Sequence, residues 1–196
     1  MIIIADLEAT CWKNKKLRSE IIEIGAVKLN NKLEIIDEFD EFVKPYFNPE
    51  LSDFCKKLTS IKQEDINYAR VFPLVFVDFV KWAGKVSYFC SWGNYDKKQL
   101  IRDCNLHNLK IPKFIEKRHI NVKEIFAKAY DIKPKGLGKA IEKIGKTFVG
   151  THHRGIDDAR NIAVILMHLN EVKLSVNNKR IEHLGKKFLN FIMKEV

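Results

Sequence analysis

Asp6 and Glu8 close an apolar opening run, MIIIADLE, and strand alternation sends Ile2, Ile4, Asp6 and Glu8 to one side of it. Two carboxylates at the tip of a hydrophobic strand repel each other and resist ionisation unless a cation neutralises them. Further along lie Asp96, in SWGNYD, and the cluster HHRGIDD, which supplies His153, Asp157 and Asp158. Asp6, Glu8, Asp96, Asp158 and His153, drawn from three separate segments, could build a two-metal hydrolytic centre. Hard divalent ions prefer oxygen ligands, and two of them would balance four carboxylates before any phosphate enters. In such chemistry one ion activates water and the other stabilises the oxygen leaving phosphorus. A neutral His153 could accept the proton of the attacking water. Taken alone, Asp6 also reads as a strand-closing turn residue, and His153 as a surface histidine at a helix start.

These residues need elements to hold them. After the first strand, EIIEIGAVKLN and KLEIIDEFDEFVKP are β-rich and separated by an NN turn, with Ile21, Ile22, Ile24, Ala26 and Val27 toward the core. Glu20 and Glu23 read as a strand rim or a salt bridge, not as another metal site. Residues 47–58 begin as loop and pass into short helical turns, and Thr59 or Ser60 is expected to cap a helix through IKQEDINYA. Residues 71–82 read as a helix and VSYFCSW as a strand. Asn94 is expected to cap the next helix, with Asp96 in its first turn and Leu100, Ile101 and Cys104 inward. INVKEIFAKAY combines a short extended start with a helix, Pro134 and Gly136 mark a break, and GLGKAIEKIG is helical. IDDARNIAVILMHL forms a further helix with Ile156, Ala159, Ile162, Ala163 and Leu166 inward, and Gly155 permits a sharp approach into it.

This order gives an α/β fold, a central mixed sheet flanked by helices. Residues 1–170 are expected to form one domain. Residues 171–196 are expected to add a C-terminal helical extension, packed on the domain or at a dimer contact, which leaves monomer and homodimer both open.

Thirty-five basic residues against 25 acidic ones leave a formal charge of +10, which favours a polyanionic partner. Nucleic acid fits better than an anionic membrane, because no long apolar span or lipidation signal is present. Residues 110–146 hold much of this excess; Lys110, Lys113, Lys117 and Arg118 could guide phosphate, and Lys135, Lys139 and Lys143 could form another basic surface. The competing reading is a set of solvated helix faces. Cys11, Cys55, Cys90 and Cys104 are dispersed with no CxxC pair, and the first residues lack the pattern of a secretory signal. A cytoplasmic location is expected.

Assembled, the three acidic segments resemble the DEDDh 3′–5′ exonuclease superfamily, with Asp6 and Glu8 in DLE, Asp96 in WGNYD, and Asp158 in HRGIDDA five positions after His153. The resemblance is closest to the three-prime RNA exonuclease group that includes histone-mRNA exonucleases and bacterial sporulation-pathway-inhibitor-like exonucleases. ADLEATCW, EIIEIGAVKLN, FVKPYFNPELSDFCKKLTSI, SWGNYDKKQL and GTHHRGIDDARNIA carry it over about residues 1–168. It implies a ribonuclease-H-like fold with a five-stranded mixed sheet, order 3-2-1-4-5, strand 2 antiparallel to the others. It also implies Asp6, Glu8, Asp96 and Asp158 as ligands of two Mg²⁺ or Mn²⁺ ions, and His153 as general base. His152 then reads as a positioning or packing residue, and Asp157 as a helix cap or salt-bridge partner.

The implied substrate is single-stranded RNA, or RNA with an accessible 3′ end, released as 5′-mononucleotides. The 3′ end would be gripped between the backbone after Glu8, at Ala9 and Thr10, and the neighbourhood of Trp12 and Lys13. Trp12 could stack on a base or pack under the catalytic loop. The alternatives are a 3′–5′ DNA exonuclease and a nucleic-acid-binding regulatory module with little turnover.

Overall fold

A computed structural model describes residues 1–14, 17–133 and 135–175. Its elements along the chain are β1 (Ile2–Ala9), β2 (Ile21–Leu29), β3 (Ile35–Lys44), α1 (Asp53–Thr59), α2 (Gln63–Asn67), β4 (Arg70–Val71) and α3 (Phe72–Ala83). Then follow β5 (Tyr88–Ser91), α4 (Tyr95–Leu106), α5 (Lys113–Glu116), β6 (His119–Asn121), α6 (Val122–Tyr130), α7 (Leu137–Lys143) and α8 (Gly155–Ser175).

The strands form one sheet in the order β4-β3-β2-β1-β5-β6. β2 runs antiparallel to β1 and β3, whereas β1, β5 and β6 are mutually parallel and β4 is parallel to β3. With β4 set aside, the order is the expected five-stranded 3-2-1-4-5. β4 is a sixth strand of two residues, too short to carry a β pattern of its own.

Alternation along β1 divides the core in two. Ile2 and Ile4 join Val27, Leu29, Phe126, Ile141 and the inner face of α8 on one side of the sheet. Ile3, Ala5 and Leu7 join Ile24, Phe76, Phe79 and Leu100 on the other. Each fully buried Ile, Leu or Phe contributes about 1.5–3 kcal/mol of transfer free energy. A central strand covered on both faces is therefore the stiffest place in the fold from which to extend a site. The inward residues expected of the last helix, Ile156, Ala159, Ile162, Ala163 and Leu166, are all buried.

α8 meets the sheet through two glycines. A Cβ on Gly25 of β2 would lie 1.9 Å from the Ile156 backbone nitrogen, and one on Gly155 would lie 2.9 Å from the Asp6 carbonyl oxygen. The sharp approach expected at Gly155 takes the form of a close backbone contact, which carries the start of α8 against β1 and β2.

One capping expectation changes. Ser52, whose hydroxyl accepts the Cys55 N–H at 3.0 Å, caps α1. Ser60 ends that helix in the left-handed region at φ 60°, and the Thr59 hydroxyl donates to the Cys55 carbonyl, so neither starts α2, which follows Lys62. Asn94 holds the N-cap position of α4 as expected, without a side-chain cap bond. α5, a single turn, has no local signature in the sequence.

The expected boundary at 170 falls inside α8, and residues 176–196 of the expected extension lie outside the described residues, as do Lys15, Lys16 and Pro134. Among the described residues no helix is long and apolar enough to cross a membrane.

Candidate active site

The C-terminal end of β1 opens into a cavity of about 630 Å³ lined by Asp6, Glu8, Asp96, His153 and Asp158, all five residues expected of the centre. The five arrive on four supports. Asp6 and Glu8 project from β1 on the face that Ile2 and Ile4 share. Asp96 comes from the first turn of α4, Asp158 from the first turn of α8, and His153 from the loop before it. Carboxylates in a first helical turn are favoured by the unpaired N–H groups and dipole there, so sequence and fold agree locally.

Specific bonds fix the geometry. The Leu7 N–H, between the two β1 carboxylates, donates to Asp96 Oδ1 at 3.2 Å and ties α4 to β1. Asp103, further along α4, accepts the Ile21 N–H at 2.8 Å and ties the same helix to β2. Behind Asp96, the Ser91 hydroxyl lies 2.9 Å from His119 Nε2. Burial lowers the His119 pKa to about 4, so this imidazole is neutral and acts as a polar strut. Asp158 Oδ2 accepts the His153 N–H at 3.1 Å, and His153 is held in the left-handed region at φ 61°. Its Nδ1 stands 3.9 Å from Glu8 Oε1, with about half the side chain exposed.

The electrostatics are those of crowded anions. Burial raises the Asp6 carboxyl well above the usual range, and Asp96, Asp158, Glu8 and Glu23 push it further. Burial also pushes Glu8 up to about 9, with Glu23, Asp158 and Asp96 adding to it. Asp96 rises to about 6, burial outweighing the Leu7 N–H, and burial raises Asp158 against the opposing His153 N–H. Asp158 Oδ1 is buried with no hydrogen-bond partner. Potential ligand atoms of Glu8, His153 and Asp158 lie within 4.8 Å of one another. Asp158 Oδ1 lies 3.8 Å from His152 Nδ1, and a buried carboxylate oxygen without a hydrogen bond, within an oxygen-rich cluster, fits a hard divalent cation.

One ion pair at the site was expected only in outline. Glu23, fully buried, binds Arg154 through Nε at 3.2 and 3.3 Å, and the guanidinium lies 5.0 Å from the Phe42 ring centroid. Glu23 is thus the salt-bridge residue anticipated, with a partner 131 positions away. Glu20 is neither rim nor ion pair: it is buried, and its carboxylate accepts the N–H groups of Tyr46, Phe47 and Asn48. Asp157 accepts the Thr151 N–H at 2.9 Å and pairs with Arg160 at 3.0 Å, a structural part as expected. His152 stacks on Phe148 with centroids 3.6 Å apart while also lining the cavity.

Of the four nucleic-acid candidates, Ala9 lines the cavity and Lys13 is exposed. The Thr10 side chain is buried, its hydroxyl accepting the Glu20 N–H at 2.9 Å and its own N–H donating to the Glu20 carbonyl at 2.8 Å, so Glu20 takes both groups. Trp12 is half-buried and does not line the cavity. The aromatic and apolar walls are instead Trp92, Tyr95 and Leu58, with Lys139 as a cation at the rim. Trp92 and Tyr95 both precede Asp96 within SWGNYD, a signal that could have marked them.

A family model described as Exonuclease, RNase_T, matches residues 3–166. The chain is 34% identical over 194 residues to a 3′-5′ exoribonuclease 1 of Rattus norvegicus, covering 91% of this chain and 56% of that protein. The chain thus spans about half the length of this relative. The nuclease domain of 3′hExo, a DEDDh family member bound to rAMP, superposes with a TM-score of 0.82 at 35% identity, covering 87% of this chain and 92% of that one. A 3′-exonuclease structure described by 3′-end specific recognition of histone mRNA stem-loop superposes at 0.80 with 34% identity, covering 87% of this chain and 81% of the other.

Proposed function

This chain belongs to the exonuclease family, in its DEDDh 3′–5′ branch, and from that premise we propose that it is a metal-dependent exoribonuclease. It hydrolyses single-stranded RNA from the 3′ end and releases 5′-mononucleotides. The observation that carries the reading is the meeting of Asp6, Glu8, Asp96 and Asp158 with His153 around one cavity, with a buried oxygen on Asp158 that makes no hydrogen bond.

Asp6, Glu8, Asp96 and Asp158 are the residues that would hold two Mg²⁺ or Mn²⁺ ions. Bound there, such ions supply a lowered pKa for water and charge stabilisation at the phosphoryl oxygens. The chain's own residues do the rest. His153 lines the cavity with Nδ1 3.9 Å from Glu8 Oε1 and half its side chain exposed, so it is placed to take the proton from the attacking water. Its backbone N–H, bound to Asp158, holds the loop in register with the carboxylates. Trp92, Tyr95 and Leu58 offer the flat apolar walls on which a terminal base stacks, and Lys139 offers a cation for phosphate. Residues 1–170 act as the catalytic unit. The four free cysteines, three of them buried, support a reducing, cytoplasmic setting.

RNA is the favoured polymer because the relatives at 34–35% identity are an exoribonuclease and a nuclease bound to rAMP. The test is a matched panel of end-labelled single-stranded RNA and DNA, each with a free or blocked 3′ end. Turnover of free-ended RNA with release of mononucleotides is expected. Rapid DNA degradation with negligible RNA turnover would move the assignment to a DNA exonuclease, and cleavage of circular RNA would contradict end-directed action. Binding without product at saturating metal would favour a regulatory module.

A further inference from the structure

We propose that Tyr46 and Phe47, backed by Arg18, form a second nucleobase platform outside the cavity, which holds single-stranded RNA upstream of its 3′-terminal nucleotide. The proposal rests on the exoribonuclease reading for the identity of the polymer, and on separate geometry for the site.

Tyr46 is 71% exposed and Phe47 51%, although both lie within three residues of the end of a sheet strand. Their rings stand edge to face, centroids 5.0 Å apart, and the Arg18 guanidinium lies 5.2 Å from the Phe47 centroid. These are the surfaces that bind unpaired bases: aromatic faces and guanidinium planes for stacking, with positive charge for the phosphate between.

The pair is also held still. The buried Glu20 carboxylate accepts the Tyr46 N–H at 2.6 Å, the Phe47 N–H at 2.9 Å and the Asn48 N–H at 2.9 Å. Asn48 Nδ2 in turn donates to the Arg18 carbonyl at 3.3 Å, linking the cation's backbone to the same turn. Charge-assisted bonds to three successive N–H groups fix this backbone, so stacking there spends little on ordering the protein.

Glu20 joins the platform to the catalytic strand. Its N–H donates to the Thr10 hydroxyl at 2.9 Å, and its carbonyl accepts the Thr10 N–H at 2.8 Å. Thr10 is two residues past Glu8. The sheet register sets Glu8 opposite Glu23 and Glu23 opposite Phe42, so the ends of β1 and β3 point the same way. Two strand spacings separate them, roughly 10 Å, which one or two nucleotides of an unpaired strand span. Ala9 and Thr10 are themselves buried beside α1, whose Ser52 and Cys55 side chains donate to the Cys11 and Ala9 carbonyls, so an RNA chain leaving the cavity reaches Tyr46 and Phe47 over the exposed loop at Lys13 and Arg18. The exposed cations Lys13 and Arg18 on the intervening loop suit a polyanion crossing it.

Binding of a 5′-fluorescein-labelled ten-nucleotide single-stranded RNA, followed by anisotropy in EDTA to prevent turnover, tests this. Tyr46→Ala/Phe47→Ala should raise Kd about tenfold or more, the loss of stacking for one or two bases. Hydrolysis of a dinucleotide, too short to leave the cavity, should be unchanged in the same variant. A Kd within twofold of wild type would assign the pair to another partner and overturn the proposal, as would absence of ten-mer binding by wild type. A parallel fall in dinucleotide hydrolysis would also overturn it, because the pair would then be shaping the catalytic centre. Wild-type protein that binds the ten-mer yet hydrolyses nothing once metal is restored would refute the exoribonuclease reading and leave the platform standing.

Discussion

Glu8 on β1 and Glu23 on β2 face each other directly across the antiparallel pair, and Arg154 offsets the charge of both. Like charges opposite one another destabilise a sheet; burial holds Glu8 up at about 9 and Glu23 up at about 7, and Arg154 favours the charged form of each. The same arginine follows His153, so one ion pair satisfies a buried carboxylate and anchors the loop of the general base.

Arg154→Met should therefore strand Glu23 without its partner. Destabilisation of about 3 kcal/mol is expected, the low end of the range for broken buried pairs because Arg154 is 27% exposed. Adding Glu23→Gln should recover most of it. Denaturant unfolding of the single and double variants measures both, and a double variant no more stable than Arg154→Met would contradict the pairing.

The carboxylates also set a pH dependence with a definite sign. In the metal-free protein Glu8 titrates near 9 rather than its ordinary 4.5, and Asp96 near 6 rather than 3.8, because burial and mutual repulsion disfavour the charged forms. Raised folded-state values mean that the native chain binds more protons than the unfolded one between these limits. Stability is thus fullest below about pH 4 for these groups, and they erode it as pH rises toward 9. Saturating Mg²⁺ or Mn²⁺, which binds the ionised forms, should flatten or reverse that fall. Thermal melts from pH 5 to 9 in EDTA and in metal give the comparison. Parallel curves would count against cation binding by this cluster.

Much of this was legible because periodicity is local. Alternation along MIIIADLE placed Asp6 and Glu8 on one face, and the helical period of IDDARNIAVILMHL placed Asp158 at a buried helix start. What escaped depends on partners distant in sequence. Arg154 gives no hint of Glu23, and the exposure of Tyr46 and Phe47 follows from bonds to Glu20, 26 and 27 positions away. Ser60 resembles an N-cap in sequence, yet the helix before it ends there in the left-handed region. Trp12 drew notice by proximity to Glu8, while Trp92, beside Asp96, lines the cavity.

Gly25 supports a mechanical prediction. Gly25→Ala places a methyl group 1.9 Å from a backbone nitrogen of α8, so the helix must move off the sheet. Loss of at least ~2 kcal/mol is expected, with reduced activity because Asp158 rides on that helix. Unfolding and turnover should fall together; wild-type stability would contradict the close contact.

His153 and His152 separate by role. His153→Asn suits the left-handed backbone there, as alanine does not, and removes the base. A fall in kcat of roughly 10²–10⁴-fold is expected, with divalent-ion affinity, read by calorimetry, retained within about tenfold through the remaining carboxylates. His152→Ala should cost less, since His152 stacks on Phe148. The reverse order, with both variants folded, would exchange their assignments.

The most direct measurement is turnover of 5′-labelled single-stranded RNA with a free 3′ end, at saturating Mn²⁺, by wild type, Asp6→Asn and Asp158→Asn. Each substitution removes one negative charge with little change in size. The account predicts stepwise shortening from the 3′ end by wild type, and losses of at least ~100-fold in both folded variants. Near-wild-type turnover by Asp6→Asn and Asp158→Asn would contradict it.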